Sequence, residues 1–124
     1  FIGNPVINIL PITIQGDEIL AKGFQFKKSD LLDTRIKEEL TDGSYLLGVR
    51  PEDVLISNEN TLFDATVNTV ELIGRERIVN FSIDGINAKS IVSIEHVVLE
   101  GDTISCSFNY PRAFIFKEDG TRVY

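Results

Sequence analysis

The sequence has 124 residues and a formal net charge of −7, and it holds no apolar run close to the ~20 residues that span a bilayer. Its length suits one domain or two small, closely packed ones. Its single cysteine excludes an internal disulfide or a Cys-cluster zinc site, and its acidity disfavours nucleic acid and anionic membranes as partners. Methionine is absent and the chain starts at Phe1, so we expect a piece excised from a longer protein.

β-Branched residues in period-2 alternation predict strands along most of the chain. Residues 6–14 predict the first strand, in which Pro11 indicates an edge position or a bulge. Residues 18–26 predict a second strand after a turn at Gly16.

Residues 29–40 are the one helix candidate. Leu32, Ile36 and Leu40 would share one face, and Gly43 could end the helix in a left-handed conformation. A looser loop with one turn is the alternative.

Short strands follow in a regular series. They are predicted over residues 44–50, 54–56, 62–73, 75–83, 86–94, 103–109 and 113–116. About nine strands separated by turns predict an all-β fold of the barrel or sandwich class, with one short helix. We expect two interleaved barrels, the first from residues 9–60 plus 109–124 and the second from residues 61–108.

Residue types that carry chemistry are sparse. No glycine-rich phosphate loop and no nucleophile elbow is present. His96 is interpreted as an exposed or rim side chain on a strand, and Cys106 as a small, half-buried strand residue. Three acidic pairs are interpreted as solvated charge in turns or on the helix: Glu38/Glu39, Glu52/Asp53 and Glu118/Asp119.

The segment Arg50-Pro51-Glu52 is the most informative polar motif. Proline holds the preceding arginine extended, at the end of an apolar strand, where its guanidinium can make a directed contact. Two interpretations stay open. Arg50 either clasps an internal carboxylate and closes the barrel, or is presented to a partner or ligand.

Four segments resemble a known family, in order across almost the whole chain. They are FIGNPVINIL at residues 1–10, LGVRPEDV at 47–54, VELIGRE at 70–76, and the stretch from 101 to 120 that contains PRAFIF at 111–116. They are similar to segments that follow the ATPase domain in carbohydrate-importing ABC-transporter ATPase subunits. Departures from that pattern are Ile7 in place of methionine, and Asp53 and Phe114 each in place of histidine.

The resemblance implies a tandem OB-like or MOP-like fold, the transport-associated OB domain, with residues 1–8 at the junction to an absent ATPase domain. It implies partnership with that ATPase domain, with a second copy of the subunit, indirectly with membrane permease subunits, and in some members with a regulatory protein, but not with nucleic acid. It implies a cytoplasmic, peripheral location at the inner face of the membrane. ATP and Mg would belong to the absent domain, with no cofactor, metal or catalytic residue here, and the candidate structural or interface residues are Arg50, Pro51, Glu52, Phe1 and Gly3.

The leading functional hypothesis is therefore a regulatory and dimerisation domain of an ABC importer ATP-binding subunit for sugar uptake. The alternative is an OB-like module that binds a small oxyanion. A nucleic-acid-binding OB domain is disfavoured by the charge of −7, and a stand-alone enzyme ranks last.

Overall fold

A computed structural model describes residues 6–31, 33–36 and 39–124, and it confirms the all-β prediction. Within that part of the chain the only helices are short 3-10 turns, and there are ten strands. The strands are β1 (Asn8–Gln15), β2 (Glu18–Ala21), β3 (Phe24–Lys27), β4 (Gly43–Val49), β5 (Val54–Ile56), β6 (Phe63–Ile73), β7 (Glu76–Ile83), β8 (Ile86–Ser93), β9 (Thr103–Phe108) and β10 (Phe114–Lys117).

The strands form two five-stranded antiparallel sheets. The first has the order β10-β4-β1-β2-β3 and the second the order β5-β9-β6-β7-β8. The second sheet thus includes β5, a segment that the sequence-based division assigned to the first unit. Buried side chains from both sheets form one continuous hydrophobic core.

Alternation along β1 shows why these residues form a strand. Leu10, Ile12 and Ile14 are buried, whereas Ile9 and Pro11, which alternate with them, are exposed. β1 as a whole lies in the centre of its sheet and its register shows no bulge, but at Pro11 it is paired on one side only, so the expected edge position holds locally. Pro11 is tolerated because the ladder between β1 and β2 begins after it, so at Pro11 β1 pairs with β4 alone.

The helix prediction over residues 29–40 is wrong for the residues described. Lys28–Asp30 and Asp33–Arg35 form 3-10 turns, in agreement with the looser alternative, while residues 32, 37 and 38 lie outside the described part. Long-range contacts outweigh the weak helical pattern here. The ammonium of Lys28 donates to the carbonyl of Leu40, and the guanidinium of Arg35 donates to carbonyls of a segment near the C-terminal end of the chain.

The predicted strand over residues 18–26 is divided into β2 and β3. Gly23 lies between them with φ of 87°, a value that favours glycine. A Cβ at this position would also lie 2.9 Å from Cγ2 of Ile83, so the turn packs directly against the second sheet.

Two buried polar side chains connect strands that are not paired with each other: Asn8 links the two sheets, and Ser90 links the two edge strands of the second sheet. Asn8 in β1 donates from Nδ2 to the carbonyl of Lys89 in β8 and accepts from the Lys89 amide, both at 2.8 Å. Ser90 donates to the carbonyl of Val54 at 2.7 Å, which connects β8 to β5 across the open edge of the second sheet. These bonds satisfy backbone groups that the ladders leave unpaired.

Candidate functional site

The predicted site residues within the described part of the chain, Arg50, Pro51 and Glu52, connect β4 of the first sheet to β5 of the second. Arg50 is exposed and extended (φ −67°, ψ 146°), and a 3-10 turn follows over Pro51–Asp53. Pro51 is buried and Glu52 exposed, while Phe1 and Gly3 lie outside the described residues.

Asp53, the residue after the Arg50-Pro51-Glu52 motif, makes an internal ion pair. Its Oδ1 accepts from Nε of Arg112 at 2.9 Å, and its main-chain carbonyl accepts from the Asn109 amide at 3.0 Å. The expectation that Asp53 is a solvated charge is therefore wrong, because the turn folds its side chain inward until only 4% of the residue is exposed. Glu118 and Asp119 are exposed as expected, and Glu38 lies outside the described residues.

Arginine side chains from distant parts of the chain converge on Phe114. The guanidinium carbons of Arg122, Arg50 and Arg35 lie 4.6, 5.4 and 5.6 Å from the ring centroid. These distances are within the range of cation–π attraction. Together with Pro111 and Arg112 these residues line an open cleft of about 320 Å³, which we call the arginine cleft.

Sequence reasoning found Arg50 and missed the other members of the arginine cleft. Arg35 comes from the segment predicted to be helical, Arg112 from the turn before β10, and Arg122 from the residues that return along β10. These residues are far apart in the sequence and follow no common spacing. The pairing of the strands in the folded chain brings their side chains together. Phe114 lines this cleft, and Asp53 is connected to it through the ion pair with Arg112.

Hydrogen bonds hold three of the guanidinium groups in place. Arg35 donates to the carbonyls of Pro111 and Ala113, the latter at 2.9 Å. Nε of Arg122 donates to the main-chain oxygen of Tyr124 at 3.1 Å, and Arg112 is fixed by Asp53.

A second surface feature is apolar. Five of the eight large hydrophobic side chains exposed among the described residues belong to two segments of the chain, the end of β6 and the loop after β8. We call it the apolar end, and it comprises Leu72, Ile73, Ile94, Val97 and Leu99.

Main-chain hydrogen bonds bring the two segments of the apolar end together. The amide of Ile94 donates to the carbonyl of Arg75 at 2.9 Å, and Nε of Arg77 donates to the carbonyl of Ile94 at the same distance. The loop after β8 therefore lies against the tip of the β6–β7 hairpin.

The remaining candidates are structural. His96 is exposed, as expected, but lies in a turn after β8 rather than on a strand. Cys106 is a residue of β9 and is fully buried rather than half-buried; burial, with a smaller contribution from the Asp64 carboxylate, raises the pKa of its thiol to about 12. No cluster of three or more His, Cys, Asp or Glu side chains able to hold a metal ion occurs in residues 6–31, 33–36 and 39–124.

None of the helices in the described ranges is long and apolar enough to cross a membrane.

Known proteins resemble the chain in sequence and in fold. No family model matches it. It is 28% identical over 128 residues to the maltose/maltodextrin import ATP-binding protein MalK of Escherichia coli (strain K12), and 29% identical over 126 residues to the protein of that name from Photorhabdus laumondii. Each match covers 98% of this chain but 34% of the relative, so the chain spans about a third of the relatives' length and corresponds to their C-terminal part.

Among solved structures, the cytoplasmic molybdate-binding protein ModG, crystallised with molybdate bound, superimposes with a TM-score of 0.67 at 16% sequence identity. The match covers 89% of this chain and 95% of that one. The all-β, OB-like fold expected from the sequence is therefore confirmed.

Proposed function

We propose that this chain is the regulatory and dimerisation domain of the ATP-binding subunit of a sugar-importing ABC transporter. The observation that carries the proposal is similarity over 98% of the chain to the C-terminal part of maltose import ATP-binding proteins. The two-sheet OB-like fold supports it, because such a fold offers exposed protein-binding faces on a closed core.

The apolar end is the surface we assign to pairing with a second copy of the chain. Leu72, Val97 and Leu99 are each more than 60% exposed, and burying side chains of this kind contributes about 1.5–3 kcal/mol each. The neighbouring arginine and glutamate side chains at Arg75, Glu76 and Glu95 could give a polar rim of both signs around it.

Sedimentation equilibrium of the 124-residue chain tests this assignment. We expect a concentration-dependent dimer that Leu72→Glu and Val97→Glu convert to monomer, because a desolvated carboxylate at the centre of an apolar interface is costly. Leu55→Glu is the matched control, since Leu55 is 44% exposed on β5, away from the apolar end. A wild-type chain that stays monomeric at every concentration, or a Leu55 variant that dissociates equally, would contradict the assignment.

The partners of the whole protein follow from the same proposal. An ATPase domain would precede residue 1, permease subunits would be contacted through that domain, and the assembly would lie at the cytoplasmic face of a membrane. Catalysis, ATP and Mg would belong to the preceding domain, so this chain alone should not hydrolyse ATP. Reading the gene upstream of Phe1 tests this part, and the absence of a GxxxxGK[ST] phosphate loop there would overturn it.

At 16% identity the likeness to ModG supports the fold alone, so it is not by itself evidence for the alternative of an oxyanion module.

A further inference from the structure

We infer that the arginine cleft is a binding site for a small phosphate-type dianion, either the free ion or the phosphoryl group of a small metabolite. This site is separate from the proposed pairing surface, since it lies where the first sheet meets the turn after Arg50, whereas the apolar end belongs to the second sheet.

The first observation is the charge. Arg35, Arg50, Arg112 and Arg122 line the cleft, and its lining includes no acidic residue among those described. The buried carboxylate of Asp53 offsets one of these four positive charges, so the cleft stays positive on a chain whose net charge is −7. Like charges at such close range repel one another, and a bound anion would remove that repulsion.

The second observation is that the guanidinium groups are held in position. Stacking on Phe114 restrains three of them, and hydrogen bonds to main-chain carbonyls or to Asp53 restrain Arg35, Arg122 and Arg112. Each guanidinium has five N–H donors, so most donors of the cleft remain available after these contacts. Groups fixed in advance lose less conformational entropy when a ligand binds.

The third observation limits the ligand. A volume of about 320 Å³ is at the lower end of the ~300–1,000 Å³ range of small-molecule sites. Several guanidinium forks match the oxygens of a phosphoryl group, while a single carboxylate offers oxygens for only one fork. A nucleic acid or an anionic membrane would extend beyond the cleft onto a chain whose net charge is −7 and be repelled, whereas a small dianion stays inside the cleft.

Titration calorimetry of the 124-residue chain at constant ionic strength tests the proposal. The probes are inorganic phosphate, glucose 6-phosphate, glucose and chloride. We expect saturable binding of at least one phosphate-containing probe and none of glucose or chloride. Preference for inorganic phosphate would identify a free ion as the ligand, and preference for the ester would identify a phosphorylated metabolite.

Single variants locate the site. Arg50→Ala and Arg122→Ala should each weaken binding about tenfold or more, because each removes a charged hydrogen-bond donor pair. Arg75→Ala is the control: it also removes one positive charge, but at the tip of the β6–β7 hairpin, and it should leave the dissociation constant unchanged. Arg50→Lys keeps the charge but not the planar fork and should give an intermediate loss.

Three results would overturn the inference: no binding of either phosphate probe, chloride competing as strongly as phosphate, or Arg75→Ala weakening binding as much as Arg50→Ala. Arg50 and Arg122 are both exposed, so their variants should keep the fold, which the unfolding midpoint of each variant verifies.

Discussion

Replacing Asn8 by alanine should destabilise the chain by about 2–4 kcal/mol. The side chain is 7% exposed and makes two hydrogen bonds of 2.8 Å to the backbone of Lys89, 81 residues away. Each of the two lost bonds should cost about 1–2 kcal/mol, more than the net value of an exposed bond but less than the full penalty of ~1–3 kcal/mol for an unpaired buried group, because the Lys89 backbone is only partly buried.

The corresponding shift in melting temperature can be worked out from the chain length. An unfolding entropy of about 2.1 cal/mol/K per residue gives about 0.26 kcal/mol/K for 124 residues. The Asn8→Ala variant should therefore melt about 8–15 °C below the wild-type chain.

Urea denaturation followed by circular dichroism measures the loss directly. The midpoint should fall while the m-value stays unchanged, because the surface exposed on unfolding is nearly the same. Exchange of the Lys89 amide with solvent deuterium should also accelerate more than exchange of core amides. Asn58→Ala, at an exposed loop position, is the control. A loss below about 0.5 kcal/mol at Asn8 would refute the reasoning and show that water replaces these bonds.

Three further predictions concern packing and charge. Gly48→Ala should cost about 1–3 kcal/mol, because a Cβ there would lie 2.7 Å from Cε2 of Phe116; an unchanged urea midpoint would contradict this close packing. The Cys106 thiol should resist Ellman's reagent at pH 8 until the chain unfolds. Burial raises the pKa of this thiol in the folded chain from 9.0 to about 12, so the unfolding free energy should fall as pH rises from 9 towards 12. The fall should be smaller in Cys106→Ala, and an equal dependence of the unfolding free energy on pH in the two chains would contradict this linkage. Arg112→Ala should cost about 1–2 kcal/mol of stability, because it leaves the buried Asp53 carboxylate without its partner, although Arg112 is itself largely exposed. Arg112→Lys should recover part of this loss in the same urea assay. An alanine variant of unchanged stability would show that the ion pair contributes nothing.

The amino-acid sequence by itself determined the strands. Alternation such as that of Leu10, Ile12 and Ile14 is a local property with a period of two residues, so β6 to β9 were predicted within a residue or two of their observed ends. Glycines with positive φ, such as Gly16, Gly85 and Gly101, mark turns that were equally readable because their backbone conformations exclude most other residues.

Only the tertiary structure decided the contacts between distant segments. Residues 29–40 carry a helical pattern, yet Arg35 and Lys28 bind carbonyls elsewhere and the segment forms 3-10 turns. The sequence predicts Asp53 to be a solvated turn residue, but in the fold its carboxylate is paired with Arg112. The arginine cleft assembles side chains numbered from 35 to 122, and no local pattern encodes such proximity, because it arises from the register of β10 against β4. Periodicity constrains which face a side chain occupies, whereas the pairing of strands far apart in the chain decides which side chains meet.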